Sequence, residues 1–219
     1  MNTSPFFLVA AGYFVGSIPF GYVVARLRGV DITSVGSGNI GATNVLRVLG
    51  KGPGLAVLAL DIAKGLLPPL VLFQVTRSQE WALAAGVAAV VGHCLSPFLR
   101  FRGGKGIATG LGMLIGVTPI GAAVALAVFA VLVAVFRYVS LASIVATWSV
   151  VATSFVLRDP APVVGVFVLV ALFVTHRHRS NIRRLLEGTE SRIGQRVDDA
   201  GPQPPEDEHR TARTEQPSG

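Results

Sequence analysis

Charged residues and cysteines are both scarce in this chain of 219 residues. Asp, Glu, Lys and Arg make up 14% of it and hydrophobic residues 51%, whereas soluble domains carry about 25% charged residues. This composition excludes an ordinary soluble domain and predicts an all-α polytopic membrane protein. The single cysteine, Cys94, excludes an internal disulfide framework and cannot by itself build a metal site. We expect neither a metal nor any other cofactor.

Acidic residues are nearly absent from most of the chain. Residues 1–186 contain four Asp or Glu against fifteen Lys or Arg, while residues 187–219 contain eight against four. We therefore predict a basic transmembrane domain at 1–188 and a charged, Pro-containing cytoplasmic tail without fixed structure at 189–219. The basic domain suits anionic small molecules and membrane lipids as partners. We expect no nucleic-acid partner.

Long uncharged runs predict membrane spans, since about 20 apolar residues cross the hydrocarbon core. Residues 107–136 carry no charge and would make a helix of about 45 Å, but Gly116, Pro119 and Gly121 interrupt the run near its middle. We expect this segment either to cross twice as two short spans or to form a re-entrant hairpin. The other predicted spans are Pro5–Ala25, Pro53–Val75, Trp81–Leu99, Tyr138–Leu157 and Pro160–Thr175.

The distribution of Lys and Arg predicts how these spans are oriented. If 107–136 crosses twice, the chain has about seven transmembrane helices, two of them short, and among the loop cations only Arg77 and Arg158 are separated from the rest. A single crossing would divide the cations more evenly. Because cytoplasmic loops carry an excess of Lys and Arg, we expect the N-terminus outside and the C-terminus in the cytoplasm.

Three polar stretches meet at the cytoplasmic face in this arrangement. They are Ser-Gly-Asn-Ile-Gly-Ala-Thr-Asn at 37–44 followed by Arg47, Phe-Arg-Gly-Gly-Lys-Gly at 101–106, and His-Arg-Ser-Asn-Ile-Arg-Arg-Leu at 178–185. Glycine backbone, small hydroxyls, amides and cations suit phosphate oxygens. Each stretch alone is equally well explained as an ordinary loop in which Ser, Asn and Gly form turns. Three of them on one face favour an anion site.

Two glycine patterns in these stretches do not indicate a nucleotide site. Gly36–Gly41 matches G-x-G-x-x-G, with Asp61 twenty residues later, but the dinucleotide fingerprint requires a βαβ unit and this loop joins membrane helices. Gly103–Gly106 lacks the P-loop spacing and the Ser or Thr that follows its Lys.

Three ionisable residues lie inside predicted spans. Asp61 and Lys64 share one helix face and can pair, and charges at such depth face a protein interior or a watery cavity. A structural pair and a pair that lines the site are both open. His93, near the cytoplasmic end of its span, is predicted to be a packed, hydrogen-bonded histidine, with site lining as the alternative.

The three motifs, in this order and spacing, resemble those of the bacterial acyl-phosphate-dependent glycerol-3-phosphate acyltransferase family over about residues 12–194. Ile40 stands where Pro is common in that family. The resemblance implies a polytopic inner-membrane enzyme with its active site on the cytoplasmic side. Such an enzyme transfers an acyl group from acyl phosphate to glycerol 3-phosphate, giving lysophosphatidic acid and inorganic phosphate, without acyl-CoA or acyl carrier protein. The upstream enzyme that forms acyl phosphate is a candidate partner.

The motifs and their chemistry predict roles for individual residues. Catalytic candidates are Ser37, Arg47, Lys105, His178 and Asn181. Candidates for binding substrate phosphate are Ser37, Asn39, Thr43, Asn44, Arg47, Arg102, Gly103, Gly104 and Lys105, with the backbone N–H groups near the two glycines directed at the anion. Further candidates for lining the site are Asp61, Lys64, His93 and Glu190.

No His-x4-Asp dyad of the kind used by other glycerolipid acyltransferases is present in the sequence. We therefore expect a substrate phosphate oxygen to take the hydroxyl proton, with His178 as the rival general base.

Two other functions fit the residues without the resemblance. A transporter or channel for phosphorylated solutes would also use basic loops and the Asp61–Lys64 pair, although the sequence shows no convincing internal repeat of the kind found in many transporters. The other is a membrane protein that acts in interactions through its charged tail.

Overall fold

The structure, a computed structural model, describes residues 4–194, and the regular elements in this range are helical. The α-helices are α1 (Pro5–Ser17), α2 (Phe20–Arg26), α3 (Ala42–Leu49), α4 (Lys51–Thr76), α5 (Gln79–Cys94), α6 (Ile107–Val117), α7 (Pro119–Phe136), α8 (Val139–Val156), α9 (Ala161–Arg177) and α10 (Arg179–Leu186). A 3-10 turn at Pro97–Leu99 follows α5. The loop at 27–41 joins α2 to α3 without a strand, so the glycine pattern at 36–41 has no βαβ context.

Within residues 4–194, seven apolar helical segments confirm the predicted all-α polytopic architecture. Five stretches are long and apolar enough to cross a membrane: Pro5–Arg26, Lys51–Thr76, Gln79–Leu99, Pro119–Phe136 and Val139–Val156. The apolar helix α9 passes the same test only together with α10, from which it is bent by 60°, and α6 is a shorter apolar helix of 11 residues. The orientation of these helices relative to the cytoplasm remains a prediction.

The predicted interruption within 107–136 separates α6 from α7. Pro119 occupies the first position of α7, where its missing N–H costs no hydrogen bond, and Thr118 Oγ1 accepts a hydrogen bond from the Gly121 N–H at 3.4 Å. Residues 107–136 therefore form two helices joined at Thr118, not one long one.

A second break divides the first span at Ile18 and Pro19. Because the break removes the regular i→i−4 hydrogen bonds to Ser17 and Ile18, the carbonyl groups of these residues need other partners. Lys64 Nζ donates to the Ile18 carbonyl oxygen at 2.7 Å, and Ser96 Oγ donates to that of Ser17 at 2.6 Å. The break is thus stabilised by side chains from α4 and from the segment after α5.

Close glycine contacts set α6 against α4. A Cβ atom on Gly65 of α4 would overlap the backbone of Thr109, and one on Gly112 of α6 would overlap the backbone of Ile62. Small residues at such crossings allow helix backbones to touch. The start of α6, and Lys105 just before it, are therefore held at a fixed place relative to α4.

Two short helices lie in stretches that carry no long apolar run. The predicted polar loop between the first two spans contains α3, and the third motif forms α10. Beyond α10 the chain still packs on the body: the Ile193 N–H donates to the Arg137 carbonyl oxygen at 2.8 Å. The predicted tail therefore begins with residues placed against α8, and its part from 195 onward lies outside the described residues.

We expect the loop at 27–41 to face the cytoplasm and the turn between α4 and α5 to face outward. In a Cys94→Ala background, Thr33→Cys should react with a membrane-impermeant maleimide only after the cells are opened, because the positive-inside rule places this loop inside. Gln79→Cys, at the opposite end of α5 from Cys94, is the matched control and should react in intact cells. Both residues are exposed on the protein surface. Labelling of Thr33→Cys in intact cells would contradict the orientation.

Candidate functional site

The three motifs meet around two adjoining cavities at one end of the bundle. A large cavity of about 510 Å³ runs into the bundle among α4–α9, and a small one of about 190 Å³ opens beside it. The polar mouth of the large cavity is formed by Ser37, Arg47, Lys105, His178 and Asn181. Ser37, Asn39, Lys105 and Arg184 line both cavities.

The structure brings most of the predicted site residues together. Those lining the large cavity are Ser37, Asn39, Thr43, Asn44, Arg47, Asp61, His93, Lys105, His178, Asn181 and Glu190. Arg102 and Gly103 line the small cavity, whereas Lys64 and Gly104 line neither.

A chain of hydrogen bonds positions the Lys105 ammonium group. Lys105 Nζ donates to Asn181 Oδ1. Asn181 Nδ2 in turn donates to Glu190 Oε1 at 2.7 Å, and the same oxygen accepts from Ser140 Oγ at 2.6 Å. Arg184 Nε binds the other carboxylate oxygen of Glu190 at 2.8 Å. Lys105 therefore points into the site through contacts from α8, α10 and the first residues after α10.

Burial governs the charge states at the polar mouth. Burial lowers the pKa of Lys105 to about 8, and the nearby Arg184 guanidinium acts in the same direction. Burial also lowers the pKa of Arg47, which stays protonated because arginine starts so high. Burial acts to raise the pKa of Glu190, but the hydrogen bonds from Ser140, Asn181 and Arg184 outweigh it and lower that pKa.

The Gly–Gly segment (Gly103 and Gly104) is clamped by protein groups on both of its edges. The Gly103 N–H donates to the Cys94 carbonyl oxygen and the Gly104 N–H to that of His93, both at 3.1 Å. Arg177 Nη2 donates to the carbonyl oxygens of both glycines, at 2.8 and 2.9 Å. The expectation that these two N–H groups face an anion therefore needs correction, because the protein already uses them.

Glycine at position 104 is required by packing. A Cβ atom there would overlap the imidazole ring of His93, and Gly104 is buried. The segment thus serves as a tightly fitted support that carries Lys105 at its end, while the side chains of Arg102 and Lys105 supply the charge.

In the first motif, Asn44 organises the loop. Its Nδ2 group lies 2.9–3.3 Å from the carbonyl oxygens of Ile32, Val35 and Asn39, and its Oδ1 accepts from the Ser37 N–H at 2.9 Å. The side chain is only 2% exposed. Although Asn44 borders the cavity, its hydrogen-bonding capacity is taken up by backbone, which differs from its predicted role in binding phosphate.

His178 presents one ring nitrogen to the site. It follows α9, is 2% exposed, and its Nδ1 lies 2.8 Å from the Val174 carbonyl oxygen. A carbonyl can only accept, so Nδ1 carries the proton and Nε2 is left as an acceptor in the neutral ring. Burial lowers the pKa of His178 to about 4. The histidine is therefore neutral at physiological pH.

The ionisable residues inside the spans form a buried cluster beside the site. Asp61 Oδ1 and Lys64 Nζ are 2.8 Å apart and both side chains are 2% exposed, which confirms the predicted pair. His93 is packed as predicted, but its Nδ1 has no hydrogen-bond partner within residues 4–194 and lies 3.8 Å from Asp61 Oδ1. Asp61 and His93 also border the large cavity. The cluster therefore combines the two predicted alternatives, a structural ion pair and a lining of the site.

Sequence reasoning did not single out Arg177, Arg184 or Ser140. Arg184 lies in the third motif and Arg177 directly before it, and the sequence does not distinguish either from the other loop cations. Ser140 lies within an apolar span and has no distinguishing sequence signal. Arg177 contacts Gly103 and Gly104, and Arg184 and Ser140 contact Glu190. No fixed sequence spacing links these partners, so the sequence does not reveal the contacts.

The large cavity is mostly apolar below its mouth. Along each helix, the lining residue farthest from the polar mouth is Ala125 on α7, Val150 on α8 and Phe167 on α9. Each lies six residues from the far end of its helix, at Pro119, Val156 and Ala161 respectively, or about 9 Å at 1.5 Å per residue. The cavity therefore ends at one common level inside the bundle.

Comparison with known proteins agrees with this architecture. The family model described as "Glycerol-3-phosphate acyltransferase" matches residues 6–188. A glycerol-3-phosphate acyltransferase of Geobacter sulfurreducens is 49% identical, over 85% of this chain and 96% of the relative. One from Aquifex aeolicus is 46% identical, over 85% of this chain and 98% of the relative.

Solved structures agree in fold as well. The crystal structure of PlsY, described as an integral membrane glycerol 3-phosphate acyltransferase in its glycerol 3-phosphate form, superposes with a TM-score of 0.83 at 44% identity, covering 88% of this chain and 96% of that one. Its lysophosphatidic acid form gives 0.81 at 43% identity, with the same coverage. The chain belongs to the glycerol-3-phosphate acyltransferase family of integral membrane proteins, which confirms the resemblance seen in the motifs.

We expect Gly104→Ala to destabilise the site because its methyl group would overlap His93. Overpacking of this kind costs about 1–3 kcal/mol, and Lys105 should lose its position at the same time. Gly165→Ala is the matched control, since Gly165 is exposed on α9 and has no atom within 4 Å of its Cβ position. Thermal unfolding in detergent and enzymatic rate should both fall for Gly104→Ala alone. Equal behaviour of the two variants would contradict the clamp.

Proposed function

We propose that the protein transfers the acyl group of an acyl phosphate to a hydroxyl of glycerol 3-phosphate. The products are 1-acyl-glycerol 3-phosphate (lysophosphatidic acid) and inorganic phosphate, and the reaction takes place at the cytoplasmic face of the bacterial inner membrane. The proposal depends above all on one observation, the excess of positive charge at the mouth of an apolar cavity. Family membership and the two ligand forms of the related structures support the choice of glycerol 3-phosphate.

The charge excess calls for anionic ligands. Arg47, Lys105 and Arg184 line the large cavity. The two acids in its lining, Asp61 and Glu190, are already paired, with Lys64 and Arg184 respectively, each at 2.8 Å. The Arg47 guanidinium has no hydrogen-bond acceptor within the described part of the chain, although it is half-buried. A buried cation without a bonded acceptor is costly. Substrate phosphate groups would relieve this cost.

Two adjoining cavities suit two substrates of different polarity. An acyl chain fits the apolar depth of the large cavity, with its phosphate at the polar mouth. The small cavity is lined by Arg102, Arg177, Arg179 and Ser180, and suits the phosphate of a soluble substrate such as glycerol 3-phosphate. Lys105 lies on the wall that both cavities share, where the reacting groups would meet.

The chemical step needs little from the protein beyond position and charge. The hydroxyl oxygen of glycerol 3-phosphate attacks the carbonyl carbon of the acyl phosphate, and the bond from that carbon to the phosphate oxygen breaks. The phosphate leaves with the bonding electrons, and a substrate phosphate oxygen takes the hydroxyl proton. Lys105 and Arg47 stabilise the charge that develops on the carbonyl and phosphate oxygens. No cofactor enters this balance, and an enzyme that forms acyl phosphate is the proposed partner upstream.

Production of lysophosphatidic acid by the purified protein tests this proposal. Hexadecanoyl phosphate with glycerol 3-phosphate should give lysophosphatidic acid and one phosphate per product, whereas hexadecanoyl-CoA should give none. Uptake by sealed vesicles tests the transporter alternative, which the family does not favour. Uptake of glycerol 3-phosphate without acyl transfer would overturn the proposal.

His178 is expected to orient the hydroxyl group through Nε2. A base with a pKa of about 4 is a poor proton acceptor at neutral pH, so His178→Asn or His178→Gln should retain substantial kcat because an amide can still hydrogen-bond. Rates and substrate affinities of both variants are the measurement. A loss of about 10⁴-fold in kcat with unchanged affinity, at the top of the range for general base catalysis, would instead make His178 the base.

The charge of Lys105 should appear in the pH profile. Since its pKa is lowered to about 8, the ammonium group is protonated below pH 8 and neutral above it, so kcat/KM for acyl phosphate should fall as the pH rises through 8. Lys105→Arg keeps the charge and should abolish this fall. Lys105→Ala should be roughly 10- to 150-fold slower, the cost of one charge-assisted hydrogen bond. The same fall above pH 8 in Lys105→Arg would assign it to another group.

A further inference from the structure

Below its mouth, the large cavity is walled by one face from each of four helices, α6 to α9. On α8 the lining residues Ser140, Ser143, Ala146, Thr147 and Val150 follow helical spacing, and on α9 Phe167, Val170 and Val174 continue the wall toward His178. From His178 to Phe167 the wall covers 11 residues of chain, or about 16 Å. The lining changes from polar to aliphatic along this path. An acyl chain whose polar end lies at the mouth can therefore extend along this wall toward Phe167.

Phe167 has the largest side chain among the residues at the deep end of the large cavity. Its side chain is 3% exposed and belongs to the same core cluster as Val150 and Ala125. Because the floor lies at one level on α7, α8 and α9, removal of the Phe167 ring would deepen the cavity toward the far ends of these helices. The side chain at position 167 thus sets the depth available to an apolar ligand.

Gly110 controls the width nearer the mouth. It lies three residues into α6 from Ile107, lines the cavity, and has no atom within 4 Å of its Cβ position. Its backbone does not adopt the left-handed conformation that favours glycine. A larger side chain here would project into the cavity without displacing protein atoms, so the free width depends on this residue being glycine.

We propose that the large cavity selects acyl donors by chain length, with Phe167 limiting the longest chain and Gly110 keeping the passage open. This inference rests on the proposed function. Leu58 and Leu126 also line the cavity and are 38% and 53% exposed, so a side of the cavity opens toward lipid. The chain enters through this opening and then lies along the wall down to Phe167.

The experiment is a competition among acyl donors. Wild-type protein, Phe167→Ala and Gly110→Leu each receive glycerol 3-phosphate and an equimolar mixture of saturated acyl phosphates of ten to twenty carbons. Gly165→Leu, the same substitution at an exposed position of α9, is the matched control, and Phe167→Leu replaces Phe167→Ala if the alanine variant does not fold. Mass spectrometry of the lysophosphatidic acids at early times gives a length profile that is independent of the amount of folded protein.

Phe167→Ala should shift the profile to longer chains and Gly110→Leu to shorter ones. The ratio of long to short products should change by about tenfold in each case, since contact with two methylene groups is gained or lost, while Gly165→Leu should match wild type. Opposite shifts cannot come from a general loss of stability. Unchanged profiles, or shifts in the same direction, would show that the chain leaves through the lipid opening and would overturn the inference. Absence of lysophosphatidic acid with wild-type protein would overturn the proposed function itself.

Discussion

Arg177 and the C-terminal end of α5 hold the Gly–Gly segment between them, and the site depends on this contact. The guanidinium group binds the carbonyl oxygens of Gly103 and Gly104, while the carbonyl groups of His93 and Cys94 take up the two N–H groups. Each of these groups would be costly to leave unpaired inside a membrane protein. One short segment therefore joins α5, α6 and α9, and Lys105 follows it directly. The position of Lys105, a catalytic candidate, therefore follows from hydrogen bonds made by the backbone of Gly103 and Gly104.

Concentrated positive charge at a membrane boundary is the second constraint. Lys105 and Arg47 are held in partly buried positions where burial lowers both pKa values. Glu190 offsets part of this charge and aligns Asn181 and Arg184 through hydrogen bonds. Preorganised charge of this kind acts without further rearrangement when a substrate anion arrives. The apolar cavity lies directly below this charge. This arrangement suits the acyl phosphate of the proposed function, since an acylated phosphate needs both environments within one molecule's length.

Several of the predicted polar residues contribute to the scaffold of the site. The side-chain amide of Asn44 forms hydrogen bonds with the loop backbone. Lys64 stabilises the break at Ile18 and also pairs with Asp61. Such buried polar groups are hydrogen-bonded or paired because the alternative is a large desolvation cost. A polar residue in a motif can therefore be essential to the site without touching a substrate.

Hydropathy and motif order are enough to predict the all-α architecture and the end of the bundle where the motifs meet. Apolar runs of about 20 residues must be helical in lipid, Pro119 interrupts 107–136, and the three motifs mark Ser37, Arg47, Lys105, His178 and Asn181 as candidate site residues. Which groups each of these residues faces depends on the three-dimensional packing. The use of the Gly103 and Gly104 N–H groups, the clamp by Arg177, the hydrogen bond of Ser140 to Glu190 and the floor at Phe167 all depend on contacts between distant helices. These contacts follow from close packing and the pairing of buried polar groups, which act across space and leave no fixed spacing in the sequence.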